Sequence, residues 1–121
     1  NSFNHYAYGA VGEWLYRAVA GINVAEDGAG YKKILIRPYI GGRLSYARGT
    51  FRSVYGKIES RWQEENGTVT LRIRIPANTT AQICLEQATE IVKSGEIKLT
   101  SSKEGYTRSC GSGTYTIVYR I

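Results

Sequence analysis

Hydrophobic residues along this chain follow two periods, and the change falls near Ile22. Up to that point they recur at spacings of three and four: Ala7, Ala10, Val11, Trp14, Leu15, Ala18, Val19 and Ile22 line one side of a helix. Asn4 suits the N-cap, because its side-chain oxygen can accept from an amide two or three residues on. Gly21 suits the left-handed position that closes a helix. Glu13 and Arg17 form an (i, i+4) pair in the favoured order on the wet side. Gly9, Ala10 and Gly12 keep part of the surface small enough for another helix to come close. A helix of about fifteen residues is marginal alone in water. The pattern therefore predicts one amphipathic N-terminal helix that needs a docking surface, either a sheet or neighbouring helices.

Beyond the helix the period drops to two. Asn23–Lys32, rich in Gly, Ala and acid, reads as a connector and as the best domain boundary. Lys33–Tyr39 reads as a short strand that Pro38 ends or confines to an edge. After Gly41-Gly42 comes a second strand, Arg43–Phe51, with two possible inward phases. Either Leu44 and Tyr46 or Ala47, Gly49 and Phe51 face the core, and a bulge near Gly49 allows both. Next, Ile58 and Trp62 share one face of Lys57–Gln63, with Lys57, Glu59, Arg61 and Gln63 on the other. Val69, Leu71, Ile73 and Ile75 point one way from the following strand, and Thr68, Thr70, Arg72 and Arg74 the other. Asn66-Gly67 between them is the preferred centre of a two-residue type I′ turn, which predicts a hairpin.

After a turn at Pro76–Asn78, Thr80–Leu85 is expected as a strand with Ala81, Ile83 and Leu85 inward. Cys84 then falls on the outer phase, where a second sheet or a loop covers it. Glu90–Thr100 reads as a short hairpin around Ser94-Gly95, with Ile97 and Leu99 inward. Ser101–Gly105 reads as a polar loop, and Thr114–Ile121 as a last strand. The fold expected is mainly β: an antiparallel sandwich of seven to eight strands, preceded by the helix. No internal repeat or low-complexity segment interrupts it.

Composition narrows the picture further. The chain has 121 residues, enough for one core of ordinary size. A hydrophobic share of 42% and a charged share of 21% are those of a globular protein. No apolar run approaches the ~18 residues of a membrane span, so no membrane contact is expected. No methionine is present, even at position 1. The chain is therefore expected to be a processed product or an excised piece, and its compartment stays open.

The net charge is +6, but the basic residues are spread out. Arg72 and Arg74 on the outer phase read as a solvated strand face. Nucleic-acid binding asks for aromatic residues among the charges, and on these strands the aromatics share the apolar phase, so no nucleic-acid partner is expected. Cys84 and Cys110 with one histidine do not make a metal site. A disulfide between the two cysteines is left open but not implied; two free, buried or half-buried thiols are the reading preferred, and no cofactor is expected. Asn66-Gly67-Thr68 and Asn78-Thr79-Thr80 match the glycosylation sequon, the first explained by turn chemistry.

The carboxylates offer no catalytic pair. Glu13 has Arg17 beside it, Glu59, Glu64 and Glu65 sit on a strand face or near a tight turn, and Asp27 lies in the connector. Nothing in the order of residues supports Ser-His-Asp catalysis. His5, where the helix begins, is a candidate functional residue because such positions open onto cavities. Tyr6 is a candidate for stacking on a sugar, whereas Trp14 belongs to the apolar stripe and reads as core.

The run Ser2-Phe3-Asn4-His5-Tyr6-Ala7-Tyr8-Gly9-Ala10-Val11-Gly12-Glu13-Trp14-Leu15-Tyr16-Arg17 resembles the last helical segment of bacterial α-L-rhamnosidases of glycoside hydrolase family 78. Arg37-Pro38, Gly41 to Arg48 and Tyr55-Gly56-Lys57-Ile58 look like the start of their C-terminal β-domain. Pro76 to Ala81 and Gly111 to Tyr115 continue the likeness. Val54 departs from it, where the family often has proline. The resemblance implies an (α/α)6 barrel followed by a β-sandwich, and hydrolysis of terminal α-L-rhamnose with inversion. Such a reaction uses one carboxyl group as general acid and another as base for water.

In the family both acids come from the barrel upstream, so this chain is expected to hold no catalytic residue. His5 matches the histidine that contacts bound rhamnose, with Tyr6 beside it. The domain organisation then expected is 1–30 as barrel helix and connector and 31–121 as sandwich. The partners implied are the rest of the barrel, a rhamnose-containing glycoside bound by the intact enzyme, and a second copy covering the helix. The competing reading is a free-standing sandwich module that binds carbohydrate.

Overall fold

The computed structural model of the chain describes residues 19–26 and 32–121. Ten strands form two five-stranded sheets among these residues. The first sheet holds β1 (Ile22–Glu26), β2 (Lys32–Ile36), β6 (Ala81–Leu85), β9 (Gly105–Cys110) and β8 (Thr100–Ser102), in the order β1-β2-β6-β9-β8. The second holds β3 (Tyr46–Ser53), β4 (Gly56–Glu65), β5 (Thr68–Ile75), β10 (Gly113–Arg120) and β7 (Glu90–Lys93), in the order β3-β4-β5-β10-β7. Neighbours pair antiparallel except β2 and β6, which run parallel. One buried cluster draws on both sheets, with Ile36, Ile83 and Leu85 from the first and Ile58, Trp62, Leu71, Ile73 and Ile117 from the second.

The β4–β5 hairpin forms as its sequence dictates. Asn66 and Gly67 both take positive φ, 51° and 82°, so the turn twists with its strands. Glu65 then pairs with Thr68 and Trp62 with Leu71. Val69, Leu71, Ile73 and Ile75 are buried, at 2% exposure or less. On β3 the inward phase is Ala47, Gly49 and half-buried Phe51, while Leu44 and Tyr46 are exposed. No bulge is needed, because β3 pairs β4 in unbroken register from Tyr46–Gln63 to Ser53–Gly56.

Three expectations are corrected. Ile22, expected on the helix face, and residues 23–26, expected in the connector, form β1 instead, paired with β2 from Ile22–Ile36 to Glu26–Lys32. The cause is local: Gly21 at φ +101° turns the chain so that Ile22, 1% exposed, joins the core from a strand. Second, residues 90–100 are not a hairpin. β7 pairs with β10 in the second sheet, and β8 pairs with β9 in the first. Third, the seven to eight strands expected become ten. β8 is a polar sheet edge with exposed residues, so its pattern imitates a loop, and β9 beside it is largely polar as well.

The expected N-terminal helix lies outside the described residues except at its end. Val19 and Ala20 have helical backbone, but no helical element stands among the described residues.

Candidate functional site

At Val19–Gly21 the chain enters the sandwich, and each of three successive carbonyl groups meets a donor from the β-structure. Trp62 Nε1 donates to Val19 O at 3.0 Å, and the Tyr39 amide donates to the same oxygen at 3.3 Å. Ser60 Oγ donates to Ala20 O at 2.6 Å. The Arg37 amide donates to Gly21 O at 2.7 Å. Carbonyls at the end of a helical turn have no partner within the helix, and burying them unpaired is costly. Here Ser60 at 0% and Trp62 at 1% exposure provide the partners from inside the core.

Gly21 is required at this junction on two counts. Its φ of +101° disfavours a side chain, and a Cβ would stand 2.4 Å from Pro38 N. Ser60 escapes a search for apolar alternation. The signal that finds it is a hydroxyl on the inward phase, between Ile58 and Trp62.

On the other side of β4 the chemistry is different. Arg48 pairs with Arg61 across β3 and β4, and Arg61 with Arg72 across β4 and β5. Thr116 of β10 continues the row beside Arg72. All four side chains are exposed. Two adjoining grooves, each of about 350 Å³, share Arg48, Arg61 and Arg72. One extends to Tyr46, Gln63 and Thr70, the other to Glu59, Arg74 and Thr114.

Glu59 contacts Lys57 at 3.1 Å and Arg48 at 3.7 Å. Its hydrogen bond to Lys57 holds its carboxyl below the ordinary range, and the charges of Lys57, Arg48 and Arg74 add to this against the opposing effect of burial. Arg61 and Arg72 make no ion pair among the described residues. Tyr46, 67% exposed, shows that an aromatic residue does share this face, contrary to the apolar phase expected for the aromatics.

The sequence candidates His5 and Tyr6 lie outside the described residues, as does the helix face that would cover itself with a second copy. Cys84 and Cys110 are free and buried. Burial pushes both thiols up, and the Cys84 Sγ faces Glu104 O at 3.5 Å. Among the described residues no group of three or more His, Cys, Asp and Glu side chains is placed to hold a metal ion. Among the described residues there is no helix long and apolar enough to cross a membrane.

Residues 21–100 match the family model of the bacterial alpha-L-rhamnosidase C-terminal domain. An alpha-L-rhamnosidase of Streptomyces avermitilis is 51% identical over 83 residues, 69% of this chain and 8% of that protein. The structure of alpha-L-rhamnosidase from Dictyoglumus thermophilum superposes with a TM-score of 0.75 at 29% identity, over 94% of this chain and 14% of that one. The Streptomyces avermitilis alpha-L-rhamnosidase complexed with L-rhamnose gives a TM-score of 0.69 at 36% identity, over 96% of this chain and 11% of that one. The chain thus spans a small fraction of the length of the relatives it matches.

Proposed function

The chain belongs to the bacterial α-L-rhamnosidase C-terminal domain family, and from that premise we propose that it is the C-terminal part of an inverting enzyme that hydrolyses terminal α-L-rhamnose from glycosides. Residues 31–121 and strand β1 form a buttress, and residues 1–20 contribute the last helix of a catalytic barrel. The observation that carries this reading is the junction: Val19 and Ala20 have helical backbone, and their carbonyls are held from inside the sandwich by Trp62 and Ser60. Such a junction transmits the position of the sandwich to whatever the helix touches. It suits a support better than a module tethered by a free linker.

The two carboxyl groups of the reaction then come from outside this chain. His5 is a sugar ligand in the intact enzyme, its imidazole hydrogen-bonding to a hydroxyl of the rhamnose ring, with Tyr6 beside it. The test is hydrolysis of a chromogenic α-L-rhamnoside by the 121-residue chain and by a full-length enzyme carrying it. No release from the chain and release from the full-length enzyme is the expected result, with KM raised in the His5→Ala enzyme. Rhamnose release by the chain alone would overturn the proposal. Binding of neutral rhamnosides by the chain alone would favour the free-standing carbohydrate module.

A further inference from the structure

We propose that the outer face of the second sheet binds the acidic groups of a polysaccharide, carboxylate or sulfate ester, along the row formed by Arg48, Arg61 and Arg72. Direct cross-strand pairing places these three residues side by side on adjacent strands. Strand spacing makes the row about 10 Å long. Like charges directly opposite one another destabilise a sheet, and among the described residues neither Arg61 nor Arg72 has an acid within ion-pair distance. An oxyanion seated between two guanidinium forks supplies relief, through paired charge-assisted hydrogen bonds.

Two features point to a saccharide as the carrier of the anion. The groove runs on from the arginines to Tyr46, Gln63 and Thr70, which offer a flat ring with polar groups at its edge. Tyr46 is the sole aromatic residue lining the two grooves, except for Trp62, whose ring is buried on the inner side. That is no stacking platform for successive bases. The face also lies on the opposite side of β4 from Ser60 and Trp62, where the preceding chain is held. It is therefore turned away from the junction. The choice of a saccharide rests on the glycosidase reading, whereas the anion site rests on the arginines alone.

Affinity electrophoresis of the 121-residue chain tests this, in gels containing polygalacturonate, dextran sulfate or neutral dextran. Retardation by at least one anionic polymer, none by dextran, and weakening as salt is raised are expected. The polymer that retards distinguishes carboxylate from sulfate ester. Replacing Arg48, Arg61 and Arg72 together by Gln should weaken binding about tenfold or more, and Arg61→Gln alone should account for a measurable part of it. A charge-matched variant, K98Q/K103Q/R108Q, should stay within about twofold of the parent chain, because a local row and not net charge holds the ligand.

Three results would overturn the proposal: no retardation by either anionic polymer, equal weakening in the two triple variants, or tighter binding of single-stranded DNA than of either polysaccharide at the same salt. None of these readouts depends on rhamnoside hydrolysis, so loss of the glycosidase reading and loss of the anion site remain separable.

Discussion

Strand β4 presents two faces that differ in almost every physical respect. Inward, Ile58, Ser60 and Trp62 are at most 1% exposed, and two of them hold the incoming chain by hydrogen bonds from the core. Outward, Lys57 and Arg61 are exposed and Glu59 is half-buried in a basic field. The inner face works in a dry medium, where a missing hydrogen bond costs its full desolvation and cannot be repaid by water. The outer face works in solvent, where each ion pair adds little to stability but can still recognise a ligand. One strand thus does two jobs because alternation separates them by a single residue.

The inner face should break most severely. Trp62→Ala removes the largest fully buried side chain of the core and the donor to Val19 O. A loss of about 3–5 kcal/mol is expected in denaturant unfolding. Gly21→Ala comes next, since strain at positive φ alone costs ~1–3 kcal/mol and the added Cβ meets the backbone of Arg37 and Pro38. Ser60→Ala should cost about 1–3 kcal/mol, because it leaves Ala20 O buried with no partner. If the junction couples these residues, the Ser60→Ala and Trp62→Ala losses should combine non-additively in a double-mutant cycle. Full additivity would mean that the two hydrogen bonds act independently.

How much of this contrast is legible in the sequence depends on which interactions create it. Asn66-Gly67 sets the β4–β5 register by itself, so the pairing of Arg61 with Arg72 comes directly from the turn. The third member of the row does not. Arg48 joins only once β3 settles its phase, and Leu44–Tyr46 and Ala47–Phe51 offer equal apolar patterns. The arbiter is tertiary: Ala47 and Gly49 lie opposite Trp62 and Ser60, where small residues fit. Ser60 itself is read as filler by any scale that counts hydrophobic positions, since its reason for burial is a carbonyl forty residues away. β9 is missed for the opposite reason. Its polar residues gain order from pairing with β6, five residues in register from Ala81–Cys110 to Leu85–Tyr106, and not from a pattern of their own.

The two faces should also separate in their response to pH. Burial raises the thiols of Cys84 and Cys110, and raises the Tyr119 hydroxyl above its ordinary value. In the unfolded chain these groups lose protons from about pH 8.5 for cysteine and about pH 10 for tyrosine. The folded chain then holds more protons than the unfolded one, so stability must fall as pH rises through that window. Urea midpoints that decline between pH 8 and 10.5, as expected from the unfolded values ~8.5 and ~10, would match this account. The Tyr119→Phe chain should lose the part of the decline that sets in near the tyrosine value. A midpoint flat across the range would mean that the core admits these charges.

The smallest effect belongs to the outer face, and there the sign is more informative than the size. Glu59 is depressed in the fold, so its contribution is present above the unfolded value of about 4.3 and disappears as pH falls through its folded value. Its partners are largely solvated, with Lys57 and Arg48 side chains 45% and 62% exposed. That limits the loss in Glu59→Gln to roughly 0.2–1 kcal/mol, and salt should shrink it further. The same substitution removes the acid that competes with a bound anion for Arg48. Retardation by the anionic polymer should therefore increase while the urea midpoint falls slightly. A buried structural carboxylate would move both readouts down together. Losing one negative charge favours any polyanion, so the gain speaks for the row only if it exceeds that of Glu104→Gln, an acid outside the two grooves.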